Sequence, residues 1–226
     1  MSVRPLPWSH TSLKQFKNCP KQFHQVRVLK AVKEEQGEAA LWGERVHKHF
    51  EDRIAEGTSL PIELQQHEPY LAKLDAMAGE GFTEQKIALD MAAQPCGFFD
   101  KDVWFRGVID YKKVHGPLAL VADYKTGNPK NADPTQLKLF ALHIFAAHPE
   151  VAVVKTQFYW TQTLSTTGET FARADVPKLW QTFLPDLKQY SAAFRDDVWQ
   201  PRQTGLCNGW CPVTTCEYWR PKRRKG

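Results

Sequence analysis

The feature that most constrains the fold is a pair of apolar segments separated by a turn sequence, each containing one aspartate. Residues 103–114 and 117–125 have the composition of β-strands, and His115-Gly116-Pro117 between them is typical of a turn. If the Gly-Pro pair forms the turn, Asp110 lies directly opposite Asp123. Opposed side chains of an antiparallel pair have Cβ atoms about 4.5–5.5 Å apart. The sequence therefore predicts two carboxylates close together in one hairpin.

A lysine accompanies the two acids. Lys125 follows Asp123 by two positions, so strand alternation places both side chains on one face. The apolar run at 118–122 argues against exposure, although a surface hairpin with solvated acids is the alternative. Two buried carboxylates repel each other unless a positive group lies between them. Oxygen ligands without a thiolate favour Mg²⁺ or Mn²⁺, and such an ion beside a lysine suits hydrolysis of a phosphodiester bond.

The rest of the pattern predicts an α/β (α+β) fold. Apolar spacing and cap residues predict helices at 9–18, 34–56, 64–77, 133–147 and 176–198, and strands at 83–91, 103–114, 117–125, 151–161 and 170–174, the last two joined by a turn at 165–168. This order predicts a central mixed β-sheet flanked by helices. We expect a single domain over 1–226 with its core at 34–200, a cysteine-bearing cap from 9–30 and 201–220, and a basic tail at 221–226.

Composition excludes several classes of protein. The chain has 226 residues, of which 42% are hydrophobic and 24% charged, as in ordinary globular domains, so disorder and a small disulfide scaffold are excluded. No apolar run approaches the ~18 residues of a membrane span, and the N-terminus lacks a secretory signal, so we expect a cytoplasmic chain without a membrane partner. The net charge is +5, with basic clusters at 14–33 and 220–225. Such clusters suit a polyanion such as nucleic acid, or simply a solubilising tail.

Four of the five cysteines share a context that suggests a metal site. Cys207, Cys211 and Cys216 are spaced C-x3-C-x4-C, and Cys19 is the other cysteine with a matching context. Four thiolates can hold Zn²⁺ or a 4Fe–4S cluster. One cysteine far from the other three suits the cluster better than zinc, and reduced cysteines without a metal are a further alternative. Cys96 lies in a Pro-Cys-Gly turn and is expected to be a free thiol.

Five segments together resemble the PD-(D/E)XK nuclease superfamily, in its RecB-like exonuclease branch. In chain order they are Ser12-Leu-Lys-Gln-Phe16-Lys-Asn-Cys19-Pro20, Gly43-Glu-Arg-Val-His47-Lys-His-Phe-Glu51, Gly107-Val-Ile-Asp110, Asp123-Tyr-Lys125-Thr-Gly127 and Gln136-Leu-Lys-Leu-Phe140. They follow the order of that family and span most of the chain. One departure is Phe140, which stands where the family usually has tyrosine and so lacks a hydroxyl.

The resemblance implies a role for each matching residue. It implies a metal held by His47, Asp110, Asp123 and the backbone carbonyl of Tyr124. It implies a catalytic set of Asp110, Asp123, Lys125 and Gln136, with Glu84 and Glu51 supporting the ligands from behind. It also implies an iron–sulfur site at Cys19, Cys207, Cys211 and Cys216, as in one subgroup of the family.

The function implied by the resemblance is that of a metal-dependent DNA nuclease using Mg²⁺ or Mn²⁺. An exonuclease acting on single-stranded or duplex DNA ends in recombination, repair or DNA processing is expected. The size of the chain and its lack of helicase motifs favour a stand-alone enzyme, viral (phage) or accessory. The alternative is a non-catalytic DNA-binding or assembly subunit on a nuclease fold. Cleavage polarity and oligomeric state do not follow from the sequence.

Overall fold

A computed structural model describes residues 5–222, apart from the side chain of Asn131. Most of the predicted basic tail, at 223–226, lies outside the described residues. The chain divides into two compact units, one formed by Met1–Glu35 with Phe183–Gly226 and the other by Gln36–Thr182. Within the described residues, every helix is too short or too polar to cross a bilayer.

Helices and strands follow one another broadly in the order that the sequence predicts. The α-helices are α1 (His10–Asn18), α2 (Pro20–Phe23), α3 (Glu38–Glu56), α4 (Glu68–Asp75), α5 (Thr135–Ala147), α6 (Val176–Gln181) and α7 (Leu184–Asp196). The strands are β1 (Glu80–Leu89), β2 (Phe105–His115), β3 (Leu118–Lys125), β4 (Val153–Trp160) and β5 (Ser165–Ala172). Short 3₁₀ or π turns cover His24–Val28, Ile62–His67, Pro129–Asn131, Arg173–Asp175 and Gly205–Cys207.

The larger unit is built on a mixed sheet of five described strands, in the order β1-β2-β3-β4-β5. Neighbouring strands are antiparallel except β3 and β4, which are parallel because α5 carries the chain between them. His115 pairs with Leu118, and Gly116 between them has a φ of 51°. The predicted two-residue turn is therefore confirmed, and with it the predicted class of fold.

Helices cover both faces of this sheet. On one face, α3 packs Val46 and Phe50 against Tyr124 of β3, and all three side chains are buried. Gly57 ends α3 in a left-handed conformation, as predicted. On the other face lies α5, whose Gln136 reaches Asp123. The face of β3 toward α5 is apolar at Ala119 and Val121 and becomes polar only at its C-terminal end, where Asp123 and Lys125 lie.

The smaller unit is held together by aromatic packing. Ser9 caps α1 in a capping box with Ser12, as the hydroxyl-rich start predicts. The rings of Phe16 and Phe23 pack edge-on against Tyr190 of α7, at centroid distances of 5.2 and 5.4 Å. Such contacts join the N-terminal helices to α7 within one core.

The predicted turn at 165–168 is wrong. These residues belong to β5, and the turn lies at 161–164, where Leu164 has a φ of 50°. Gly168 is opposite Gln157, and a Cβ there would lie 2.2 Å from the Thr156 carbonyl oxygen. That glycine therefore serves a close approach between strands rather than a turn.

The predicted helix at 176–198 is also wrong in part. It is divided into α6 and α7, because Pro185 in the first turn of α7 has no N–H for the Gln181 carbonyl. Two other helices are shorter than predicted. The helix predicted at 34–56 begins at Glu38, after Gly37, and the one predicted at 64–77 is a 3₁₀ turn followed by α4.

Candidate active site

Strand register places three carboxylates at one level across three adjacent strands. Between β1 and β2, Thr83 pairs with Tyr111 and Gln85 with Ile109, so Glu84 and Asp110 share a level. The register between β2 and β3 places Asp123 at that same level, since Tyr111 pairs with Ala122. The Asp110 carboxylate accepts a hydrogen bond of 2.6 Å from the backbone N–H of Tyr124. The hairpin therefore brings its two aspartates together at one edge of the site.

Helix α3 brings an imidazole to these acids. His47 Nδ1 lies 3.4 Å from Asp110 Oδ1 and 3.9 Å from Glu84 Oε1. Its Nε2 lies 2.9 Å from the Tyr124 carbonyl oxygen. One ligand atom from each of His47, Glu84 and Asp110 lies within 4.8 Å of the others. Gly43, one turn earlier in α3, permits this approach, because a Cβ there would lie 3.2 Å from Thr126 Oγ1.

The charges of this group are unbalanced. Burial opposes protonation of His47, but the carboxylates of Asp110 and Glu84 outweigh it and raise its pKa to about 10. Burial and the nearby Asp110 charge raise the pKa of Asp123, against the opposing effects of Lys125 and His47. The raised pKa values of His47 and Asp123 both indicate that negative charge is in excess within a buried, poorly solvated site. The site therefore favours a bound cation.

The residues present fit a divalent cation. Glu84 Oε1 is buried and accepts no hydrogen bond within the described part of the chain. The donor atoms are imidazole nitrogen and carboxylate or carbonyl oxygen, with no thiolate, which suits Mg²⁺ or Mn²⁺. A cation at this point would bind the unpaired Glu84 Oε1 and offset the repulsion between the carboxylates of Glu84 and Asp110.

Lys125, Asp123 and Gln136 form a second, adjoining group. Lys125 Nζ lies 2.5 Å from Asp123 Oδ2 and donates to Gln136 Oε1 at 2.9 Å. The Gln136 amide in turn donates to Asp123 Oδ1 at 2.8 Å. Asp123 is 3% exposed, whereas the Lys125 side chain is 30% exposed. The ammonium is thus fixed on one side and open to solvent on the other.

Two residues differ in position from the sequence-based expectation. Glu84 lies in the middle of β1 and within the ligand group itself, rather than behind it. Strand register was the signal that could have located it. Glu51 instead binds Lys48 at 3.1 Å, one turn away on α3. Phe140 is buried in the face of α5 that packs on the sheet.

The smaller unit gathers the four cysteines that the spacing singled out. Cys19, Cys207, Cys211 and Cys216 line one pocket, together with residues that include Val213 and Trp219. The sulfur atoms are spread out, since within the described chain no three of them lie within 4.8 Å of one another. Burial and the three neighbouring thiols raise the pKa of Cys211, against the effect of a backbone hydrogen bond. Lys21 and Glu217 form an ion pair of 2.7 Å near the pocket.

Backbone N–H groups point at two of these sulfurs. The N–H groups of Gln22 and Arg202 donate to Cys19 Sγ at 3.5 and 3.4 Å, and that of Thr204 donates to Cys207 Sγ at 3.5 Å. Cys96 is a free cysteine on the loop after β1.

Comparisons with known proteins bear on the family and the fold of the chain. The family model of the PD-(D/E)XK nuclease superfamily matches residues 7–217. Two similar solved structures are SSO0001, at 14% identity and a TM-score of 0.50 over 96% of this chain and 89% of that one, and a "putative exonuclease" from Eubacterium rectale, at 11% identity and a TM-score of 0.51 over 97% and 89%. At such identities these two structures indicate the fold alone. No curated protein matches the chain.

Proposed function

The chain belongs to the PD-(D/E)XK nuclease superfamily, and from that premise we propose that it is a metal-dependent DNA exonuclease. The observation that carries the proposal is the junction of two groups. His47, Glu84 and Asp110 form a group that could bind a cation. Next to it lies the Lys125 ammonium, which is held by Asp123 and Gln136. A phosphodiester needs both kinds of group, because negative charge grows on its oxygens as water attacks.

The ligand set for the cation is His47, Glu84 and Asp110, with Asp123 and the Tyr124 carbonyl adjoining. When bound, Mg²⁺ or Mn²⁺ would polarise the phosphate and favour deprotonation of the attacking water. The chain's own residues orient this site. Asp110 is fixed by the Tyr124 N–H, and His47 spans Asp110 and the Tyr124 carbonyl, so two ligands are aligned before any ion arrives.

Lys125 has the role of holding a phosphate oxygen. Its ammonium is bound by Asp123 and Gln136 on the protein side, while its exposed side can donate to a non-bridging oxygen of the scissile phosphate. Gln136 positions both partners, since its amide spans Asp123 and Lys125. This arrangement keeps a fixed positive charge where negative charge develops.

Action on DNA ends in recombination, repair or DNA processing rests on the family and on a fold neighbour that carries an exonuclease name. A non-catalytic DNA-binding or assembly subunit is the second candidate. The buried contact between Lys125 and Asp123 favours the enzyme, because an inactive site would gain stability by losing such charges.

The test of the proposed function is cleavage of end-labelled single- and double-stranded DNA with Mg²⁺, Mn²⁺ or EDTA. Lys125→Ala should abolish cleavage while the fold and DNA binding persist. Lys155→Ala is the matched control, since it removes an exposed strand lysine of β4. Undiminished cleavage by Lys125→Ala would contradict the catalytic assignment. Cleavage of closed circular DNA as fast as of linear DNA would contradict action at ends.

We further propose that Cys19, Cys207, Cys211 and Cys216 bind a 4Fe–4S cluster. The four cysteines line one pocket, and among the described residues no three of their sulfur atoms lie within 4.8 Å of one another, whereas a tetrahedral zinc site holds its sulfurs about 3.8 Å apart, from Zn–S bonds of ~2.3 Å. A cluster binds each thiolate through a different iron and therefore needs them farther apart. Anaerobically purified protein should be brown, and Cys211→Ala should lose the visible absorbance, whereas Cys96→Ala should keep it. Stoichiometric zinc without iron would overturn this proposal.

A further inference from the structure

The loop that connects β1 and β2 carries two neighbouring aromatic residues, a half-buried Phe98 and an exposed Phe99. Phe99 is 77% exposed, and its ring lies 5.1 Å from that of Phe98 at an interplanar angle of 78°. An exposed phenylalanine gains nothing from burial in the folded chain. The Phe99 ring is therefore accessible to another molecule.

Two cations lie against these rings. Lys86 Nζ is 5.6 Å from the Phe99 centroid, and Arg106 Cζ is 5.2 Å from the Phe98 centroid. Among the described residues neither cation has a carboxylate within 4.0 Å, and Arg106 Nε is buried without a hydrogen-bond partner. Of the three aspartates on this loop, Asp90 and Asp100 accept hydrogen bonds from backbone N–H groups of their own turns, and the exposed Asp102 forms no ion pair with either cation. Positive charge at the rings is therefore left available to an anion.

We call the four residues Lys86, Phe98, Phe99 and Arg106 the aromatic–cationic strip. Strand alternation places its two cations on the same face of the sheet as the acidic site. Arg106, Val108 and Asp110 lie on one face of β2, and Lys86 of β1 pairs with Val108. Arg106 is four residues from Asp110, which corresponds to about 13 Å along the strand. Val108 between them is 39% exposed, whereas Ile109 on the other face is fully buried. An open path of a few nucleotides' length therefore runs from the acids to the strip.

We propose that the aromatic–cationic strip binds an unpaired nucleotide of the substrate strand, a few nucleotides from the bond that is cut. Phe99 stacks on the base, and Lys86 with Arg106 binds an adjoining phosphate. Aromatic rings beside cations are the combination that single strands require, since each nucleotide offers a flat base and a negative charge. The inference rests on the proposed nuclease function and specifies its substrate as a strand with unpaired bases.

The first test is binding of fluorescent oligo-dT in EDTA, measured by anisotropy in a Lys125→Ala background so that no strand is cut. Phe99→Ala should weaken binding by about tenfold or more, because base stacking on an aromatic ring is lost. The control is Met91→Ala, which removes another highly exposed apolar side chain after β1. An oligonucleotide of abasic sites should bind Phe99→Ala and its parent equally, since it has no base to stack.

The second test separates phosphate binding from stacking. Lys86→Gln should weaken binding of the dT and abasic probes alike, and should lower the slope of log affinity against log salt by about 0.7. A blunt duplex should show little loss with Phe99→Ala, because its bases are paired. A loss on the duplex equal to that on dT would contradict recognition of an unpaired base.

The outcomes distinguish the strip from the nuclease function. Equal dT affinity of Phe99→Ala and Met91→Ala would overturn the strip, whatever the activity of the parent chain. Base-dependent binding by the Lys125→Ala chain, together with a lack of cleavage by the unmutated chain, would contradict the nuclease function and still support the strip as a nucleic-acid site. Self-association that is lost in Phe99→Ala, without a change in dT binding, would identify the patch as a protein interface and overturn the inference.

Discussion

Glu84 has a left-handed backbone in the middle of a strand, with a φ of 46°. This conformation is unfavourable for a residue with a side chain and tends to occur at functional sites. Here it accompanies a carboxylate that lies with His47 and Asp110 in the ligand group. The local strain is thus consistent with a side chain re-aimed toward a cation.

Glu84→Gln should weaken the metal site rather than the fold. We expect the Mg²⁺ concentration for half-maximal cleavage to rise about 10- to 100-fold, because one anionic ligand is lost. The melting temperature of the metal-free protein should change little, because the relief of repulsion with Asp110 is offset by the loss of attraction to protonated His47. A Mg²⁺ titration and thermal melts in EDTA measure both effects. Glu63→Gln, at an exposed position on a 3₁₀ turn, is the control, and an unchanged Mg²⁺ requirement would exclude Glu84 from the ligand set.

At this scale the sequence predicts the hairpin residues but not Glu84. Asp110, Asp123 and Lys125 follow from a two-residue turn and strand alternation, which are local rules. Glu84 depends on the register of β1 against β2, which is joined to it by the long loop 90–104 without a simple turn signal. Its left-handed backbone also lies outside what residue type predicts.

Among the elements, the approach of α3 to the end of β3 controls the site. Gly43 lies against Thr126, directly after Lys125, and a Cβ at 43 would lie 3.2 Å from Thr126 Oγ1. Alanine is favoured over glycine inside a helix by about 1 kcal/mol, which offsets part of this crowding. Gly43→Ala should therefore lower the activity much more than it changes the stability.

We expect Gly43→Ala to change the unfolding free energy by less than about 1 kcal/mol and to lower cleavage about tenfold or more, because α3 and the loop after Lys125 move apart. Chemical denaturation and single-turnover cleavage measure the two effects. Thr126→Ala should restore part of the activity in the double variant, since it removes the crowded hydroxyl. Full activity of Gly43→Ala alone would show that the close approach has no influence on the site.

Element boundaries show where local signals mislead. Gly168 belongs to a strand because of close strand packing, although a Ser-Thr-Thr-Gly segment is typical of a turn. Pro185 divides a segment whose apolar spacing is continuous. In both cases contacts or covalent constraints outweigh the periodicity on which the predictions depend.

At the scale of the whole molecule, the two compact units hold different sets of functional side chains. The unit Gln36–Thr182 holds the acids and Lys125, and the other unit holds the four grouped cysteines. The boundary at 182–183 falls at the break between α6 and α7. A continuous helix was predicted there because apolar spacing carries no information about which core each half joins.

Acid stability of the larger unit should depend on a buried histidine. His143 of α5 is 6% exposed, and burial, aided by Lys112 and His148, lowers its pKa to about 3. It stays neutral in the folded chain, while in the unfolded chain it binds a proton below its usual pKa of ~6.5. The unfolded state therefore gains protons as the pH falls, so stability is full above pH ~6.5 and is lost progressively below it.

For one such histidine the loss between pH 7 and pH 5 is about 2 kcal/mol. His143→Leu removes the group, keeps an apolar side chain of similar size, and should reduce the fall in stability over that range by this amount. Urea denaturation of both proteins at pH 7 and pH 5, monitored by tryptophan fluorescence, measures the difference. Buried His67 has a lowered pKa for the same reason and remains in both proteins, so a smaller acid loss should persist in the variant. Equal losses in the parent chain and the variant would mean that His143 is already protonated in the folded state at pH 5, and that burial does not hold it neutral.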